Sequence, residues 1–402
     1  MVPQTDDDES TTYELLAPGS GEFHVRYAVS AMTPGATAYY NPLRKGSGVR
    51  DMRAIDLFSG TELTTDVVPG TSAREGGHPT ARPDVDYLEI QLARPVPEGG
   101  QARIVIEKVY QDPRGYFLED GFEDGRLVFA RAMNIRRNAV VLPPDYELTQ
   151  CNHPTRIFRE ADGRVRVSFD KTGQSPVFLI LKARPLPGVE VAGERNASSV
   201  RDASAGSPVE DDATRADVRT LAPDRELLID LGNPRHSTFL ALHDFTESEA
   251  GRSSRQVASA PPGTVARTRA RLLDNGDTLE SQVVRQDTDA GRRDAVQVSF
   301  PAIEAGRSVR VRVEEVRIDR KSYRLEDDEL VWRAQVDSAL RSVLLPAGWY
   351  ITGNTVPAVV VEMPDGRIRL NYATLSADSV EVTVRARERA VQAPESAPTE
   401  DR

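Results

Sequence analysis

The feature that most constrains this chain is that its second half repeats its first. Leu127-Val128-Phe129 returns as Leu330-Val331-Trp332, 203 residues later. The register then holds without a gap: Val140 meets Val343, Leu142 meets Leu345, Pro143 meets Pro346, Tyr146 meets Trp349, and Asp162-Gly163-Arg164 meets Asp365-Gly366-Arg367. Upstream the match continues with small shifts. Glu107, Val109 and Asp112 align with Glu314, Val316 and Asp319, and Leu57, Gly60, Leu63, Val67 and Val68 align with Leu273, Gly276, Leu279, Val283 and Val284. The weakest pairing is the earliest, Glu14-Leu15-Leu16 with Glu226-Leu227-Leu228. Matched prolines, glycines and aromatics in an ungapped run mark an internal duplication, so each half must fold as one unit.

Between the halves runs a segment rich in Ala, Ser, Asp, Arg and Gly with almost no large apolar residue, which cannot bury enough surface to offset its ordering entropy. The expected organisation is a disordered N-terminus at 1–12, a first repeat at 13–186, a flexible linker at 187–222, a second repeat at 223–390 and a disordered tail at 391–402.

Within each repeat the apolar period is two. Val309-Arg310-Val311-Arg312-Val313 and Val380-Glu381-Val382-Thr383-Val384 alternate as half-buried antiparallel strands do. Val177-Phe178-Leu179-Ile180-Leu181 is apolar throughout and reads as a strand covered on both faces. Asp162-Gly163, Asp365-Gly366 and Asn275-Gly276 mark tight hairpins. The only helix-like stretch, Asp327–Leu345, holds one turn or a short helix at most. The expected fold class is therefore all-β: two tandem, internally duplicated antiparallel β-sandwich domains of immunoglobulin-like type. Such a pair can also pack as an intramolecular pseudo-dimer.

Charge narrows the partners. A formal net charge of −11 argues against nucleic acid, whose binding requires phosphate neutralisation. No run approaches the roughly 20 apolar residues of a membrane span, so an integral membrane protein is not expected. The opening MVPQTDDDESTT does not read as a signal peptide. The single cysteine, Cys151, excludes an intramolecular disulfide framework.

Searches for chemistry return little. Cys151 and His153 lie two apart on one strand, a spacing that would allow a thiolate–imidazole pair, but the second repeat has Asn354 and Val356 there and no third orienting residue is evident. Ser168-Phe169-Asp170-Lys171 matches an S-x-x-K string on a strand, whereas that motif works on a helix. The acidic tips Glu119–Gly125 and Glu326–Glu329 could gather oxygens for calcium, though without the spacing of an EF-hand loop. The arginine ladders at Arg267, Arg269 and Arg271, at Arg310 and Arg312, and at Arg385 and Arg387 read as solvated sheet faces. No zinc, dinucleotide, P-loop or hydrolase-elbow motif occurs, so neither cofactor nor metal is expected. The candidate binding residues are Tyr39, Tyr40 and Arg44, two aromatics and a cation beside a loop.

The stretches TPGATAYYNPLRKGS, NAVVLPPDYELTQCNHP and DGRVRVSF resemble a family of exported β-sandwich proteins from GC-rich bacteria to which no function is assigned. The resemblance implies a periplasmic or extracellular location and brings no catalytic residues. The expected function is accordingly a non-enzymatic extracytoplasmic binding or assembly protein. Its partner would be another protein or an envelope component, with the chain serving either alone or as a subunit of a larger envelope complex. The alternative is a hydrolase acting on glycan or peptide through an unidentified carboxylate site in the first repeat.

Overall fold

The computed structural model describes residues 4–5, 10–46, 48–98, 100–119, 125–171, 175–188, 225–288, 291–336, 340–372 and 380–389. The protein is all-β: among the described residues the helical content is one six-residue helix, Gly70–Glu75, and one 3-10 turn, Pro234–His236. No helix among them is long and apolar enough to cross a membrane. The chain divides into two compact units, described over 4–188 and 225–389.

In the first unit, Ser10–Leu15 pairs antiparallel with Glu22–Ala31, which pairs in turn with Ala102–Gln111 and that strand with Gly48–Asp56. On its other side Ser10–Leu15 runs parallel to Arg137–Val141, followed by Val165–Asp170. The strand Tyr146–Arg159 joins two arms of sheet. Arg156–Arg159 bonds to Val165–Asp170, while Tyr146–Cys151 bonds to Val177–Pro185 across a register shift at Leu148/Gln150. Beyond it lie Leu127–Met133 and Tyr116–Leu118. The two arms meet through their rings, with Phe129 centred 5.7 Å from Tyr13 and 5.5 Å from Phe23. The strict alternation of buried and half-exposed positions along Glu22–Ala31 is what aims Phe23, Val25, Tyr27 and Val29 at one face. A small third sheet sits apart, in the order Ala38–Pro42, Asp86–Gln91, Thr65–Pro69.

The second unit draws the same pairing diagram. Arg225–Leu231 pairs with Thr238–Glu247 and runs parallel to Leu340–Leu344. Thr238–Glu247 pairs with Val309–Ile318, and that with Val265–Leu272. Trp349–Glu362 passes from Ile368–Tyr372 to Val380–Glu388, with its own register shift at Ile351/Gly353. The small sheet returns as Ser254–Ala260, Gly291–Ser299, Thr278–Thr288. Matching corners are held by matching bonds. Tyr116 donates its Oη to the Leu16 carbonyl at 2.9 Å, and Tyr323 donates to the Gly232 carbonyl. Leu142 and Leu345 are both fully buried, each donating its amide to the opposite strand at 2.9 Å, to Val165 and Ile368. Truncating either to alanine removes a packed side chain and costs about 2–5 kcal/mol.

Several expectations change. Ser10–Thr12 belong to the first strand, and Thr5 bridges Ala31, so the N-terminal stretch is ordered where it is described. The pairing of Glu14-Leu15-Leu16 with Glu226-Leu227-Leu228 is four residues off. The hydrogen-bond diagram sets Leu15 opposite Phe23 as it sets Leu231 opposite Phe239, so Leu15 corresponds to Leu231. The helix-like stretch is two strands, Glu329–Val336 and Leu340–Leu344, because its apolar residues fill sheet positions at Leu330, Trp332 and Val343. Val177–Leu181 is covered on one face only, and Phe178 stands 59% exposed. The linker 187–222 is described only at 187–188, and the tail 391–402 lies outside the described residues.

Candidate functional site

The first unit holds a cavity of about 870 Å³, within the range of small-molecule sites. Three layers build it. The main sheet supplies Tyr13, Val25, Tyr27, Lys108 and Tyr110 from one face of neighbouring strands. The facing arm ends in Arg131, Asn134 and Ile135. The small sheet supplies Tyr39, Tyr40 and Asn41, and the loop after the helix closes the wall with Gly77, His78, Pro79 and Thr80.

Tyr39 and Tyr40 both line this cavity and are 2% and 3% exposed, so they form an interior wall rather than a solvent-facing edge. The strand Ala38–Pro42 is covered on both faces, which is why consecutive residues can both be buried. Tyr40 packs with Ala73, Ala81 and Tyr87 and stacks on the His78 ring at 6.1 Å. It donates its hydroxyl to Glu89 Oε1 at 2.9 Å and to the Gly76 carbonyl at 3.1 Å, and burial together with Glu89 pushes that hydroxyl up to about 12. The Gln4 side chain brackets the Tyr40 backbone with two 3.0 Å bonds, accepting from its amide and donating to its carbonyl. Arg44 is not part of the lining. It is half-exposed beside Asp112, at 3.8 Å, and its amide donates to Tyr110 Oη at 3.4 Å.

The residue that sequence reasoning passed over is Lys108. It is one of five lysines in the chain and only 4% exposed. It sits on the apolar face shared by Ile104, Ile106 and Tyr110, because Glu107 takes the other face and pairs with Arg53 and Arg26. Its ammonium donates to Asn41 Oδ1 and lies 5.2 Å from the centre of the Tyr110 ring. Among the described residues no carboxylate pairs with it. Burial first, and the nearby Arg131 second, draw it down to about 7. Arg131 is 7% exposed, held at 3.0 Å by Asp112, and enclosed by the rings of Phe23, Tyr110 and Tyr13 at 5.0, 5.5 and 5.8 Å. A guanidinium boxed by ring faces is well suited to a desolvated site.

The second unit provides an internal comparison. By the shared pairing diagram Glu315 occupies the place of Lys108, His243 that of Tyr27 and Arg317 that of Tyr110. There the charges satisfy one another: Glu315 is fully buried with Arg317 at 2.7 Å and His243 at 3.2 Å. Burial alone would raise the Glu315 carboxyl, but His243 and Arg317 outweigh it and hold it below the usual range. Val257 replaces Asn41 and closes an apolar cluster with Phe245, Val296 and Val311. The cavity-lining loop also has no counterpart. Residues 70–85 join two strands of the small sheet in the first unit, whereas 289–290 suffice in the second.

The remaining candidates do not assemble. Cys151 is fully buried, and its thiol donates to the His153 carbonyl at 3.4 Å rather than meeting the imidazole. Burial pushes that thiol up to about 11, away from the thiolate a nucleophile needs. The His153 ring stacks edge-on to Phe169 instead. Ser168 lies near the end of the strand Val165–Asp170 and Lys171 follows it, so the two are not on the helix that an S-x-x-K pair needs. The arginine ladders are interleaved with acids, as in Arg312–Asp244 at 2.7 Å and Arg385–Glu329 at 3.0 Å. The first acidic tip lies largely outside the described residues. Among those described, no cluster of three His, Cys, Asp or Glu could hold a metal. No protein-family model matches the chain, and comparison with curated proteins finds no significant relative.

Proposed function

We propose that the chain is a non-enzymatic binding protein built from two tandem β-sandwiches of immunoglobulin-like type that arose by duplication. In this reading the first sandwich has been turned into a small-molecule receptor while the second keeps a closed core. The single observation that carries it is the contrast between the halves. The same scaffold position holds a neutralised Glu315 in one and, in the other, a buried Lys108 facing a cavity with no acid partner among the described residues. A buried cation without an acid partner among the described residues weakens the fold, so its retention points to use. The repeated pairing diagram and the shared tyrosine corner bonds support descent from one unit. An extracytoplasmic location, and attachment to an envelope partner, rest on the resemblance of the strand-end motifs alone.

The hydrolase alternative requires a pair of acids at the site, one to protonate and one to attack or activate water. Among the described residues lining the cavity there is no aspartate or glutamate, which favours binding over hydrolysis. The test is a titration of the intact chain with the neutral fluorophore N-phenyl-1-naphthylamine, before and after Thr80→Trp. Thr80 is an exposed residue of the cavity wall, so an indole there blocks the mouth without touching the core. Saturable binding at one site, lost in the variant, is expected. No binding, or binding indifferent to Thr80→Trp, refutes the receptor reading.

A further inference from the structure

The chemistry of the cavity also specifies the charge of its occupant. We infer that the site takes an organic anion with an aromatic or otherwise apolar body, its acid group seated against Lys108 and its body against the tyrosine walls. The inference rests on the receptor reading and adds the class of ligand to it.

The lining combines five tyrosines with two buried cations and no acid among the described residues. The cations differ in how well they are satisfied. Arg131 already has Asp112 at 3.0 Å and three ring faces around it, and is a fixed part of the wall. Lys108 has one neutral amide acceptor, Asn41 Oδ1, for its three donors. An entering carboxylate or sulfonate would supply a counter-charge, which Lys108 lacks among the described residues, beside an ammonium that is itself only 4% exposed. Charge-assisted bonds are strongest under those conditions. A cationic ligand would meet two like charges, and a neutral one would leave Lys108 as it is. The second unit shows how the fold satisfies this position when no ligand is served: it replaces the lysine with an acid and surrounds it with His243 and Arg317.

An anion would also hold a proton on Lys108. The titratable or charged groups facing it from the packed elements are Arg131, Tyr13, Tyr27, Tyr39, Tyr40, Tyr110 and His78. Tyr13, Tyr40 and Tyr110 are raised above their usual value, and His78 is lowered by burial, so none of these four gains or loses charge between pH 7 and 9. Lys108, drawn down to about 7, does. Affinity for an anion should therefore fall as pH rises from 7 to 9, while affinity for a neutral ligand should not.

The test compares 8-anilino-1-naphthalenesulfonate with N-phenyl-1-naphthylamine on the full chain. The two share an aromatic body, and the sulfonate stays ionised throughout, so any pH dependence belongs to the protein. The expected result is sulfonate binding at least about tenfold tighter at pH 7, blocked by Thr80→Trp, and weakening by several-fold or more towards pH 9. Lys108→Met should remove the tenfold preference and the pH dependence, so that the two probes bind with similar affinity at both pH values. Equal affinities for the two probes, or a sulfonate preference that survives Lys108→Met, overturn the inference while leaving a receptor that binds the neutral probe. Failure of both probes to bind overturns the receptor reading and this inference together.

Discussion

Replacing Lys108 by methionine should change the stability of the first unit with opposite sign at neutral and at alkaline pH. The unfolded chain protonates this lysine near its ordinary value of 10.5, whereas the folded one holds it near 7. A folded value below the unfolded one means that the unfolded state binds more protons between those limits. Stability therefore rises with pH from about 7 to about 10.5, at roughly 1.4 kcal/mol per pH unit. The native penalty is about 4 kcal/mol at pH 7 and almost nothing at pH 10.5. Methionine has a similar length and no charge, so it removes that penalty. It also strands Asn41 Oδ1, which has lost its donor, at about 1–3 kcal/mol. The variant should therefore be more stable than the parent by about 1–3 kcal/mol at pH 7, and less stable by a similar amount at pH 10.5, crossing near pH 9. Urea titrations at a series of pH values measure this. Both tryptophans, Trp332 and Trp349, lie in the second unit, so their fluorescence follows that unit, and the near-ultraviolet dichroism change that does not track it reports the first. A difference between variant and parent that stays constant with pH refutes the account of Lys108 as a destabilised buried amine.

Other consequences can be checked in the same way. Tyr116→Phe and Tyr323→Phe each strand one buried carbonyl, at Leu16 or Gly232, and should each cost about 1–2 kcal/mol in their own unit; an effect in only one of them would break the equivalence of the corners. Glu315→Gln should destabilise the second unit by about 3 kcal/mol at pH 7, since it leaves the half-buried Arg317 without its acid. Glu315 is depressed in the fold, so its contribution is present above the ordinary carboxylate value and lost as pH falls through the folded one. The variant's deficit, read by tryptophan fluorescence, should shrink in acid, and a deficit unchanged at pH 3 contradicts the ion-pair account. Cys151 should resist thiol reagents at pH 8 in the native protein and react fully in urea; fast native labelling would place the thiol at the surface.

The all-β architecture was legible because it is written in short-range terms: a period of two, hairpin glycines and prolines at strand ends. The recurrence at 203 residues was legible because Pro, Gly and aromatic positions at corners tolerate little drift, and the strands Arg137–Val141 and Leu340–Leu344 carry it. The register of the first strand was not, since Glu14-Leu15-Leu16 and Glu226-Leu227-Leu228 are both good strand sequences and only long-range pairing to Arg137–Val141 and Leu340–Leu344 decides between offsets. Periodicity also misjudged Phe178, because an apolar run does not say whether a second layer covers it.

The site was half legible, and the half that was missed follows from how it was sought. Tyr39 and Tyr40 drew notice as residue types, but their role depends on the 70–85 insertion that buries them, and an insertion appears in an alignment only as a gap. Lys108 carried the stronger signal. In Ile104-Val105-Ile106-Glu107-Lys108-Val109-Tyr110 the alternation puts the lysine on the face of Ile104, Ile106 and Tyr110, where a charge has no bland explanation. The residue at the same place in the second unit's pairing diagram is Glu315, an inversion of charge between two otherwise matching strands. A charge that changes sign between them, with its neighbours changing from Tyr27 and Tyr110 to His243 and Arg317, is a position released from the fold's needs in at least one copy. In the second copy the surroundings close around it, and in the first they open.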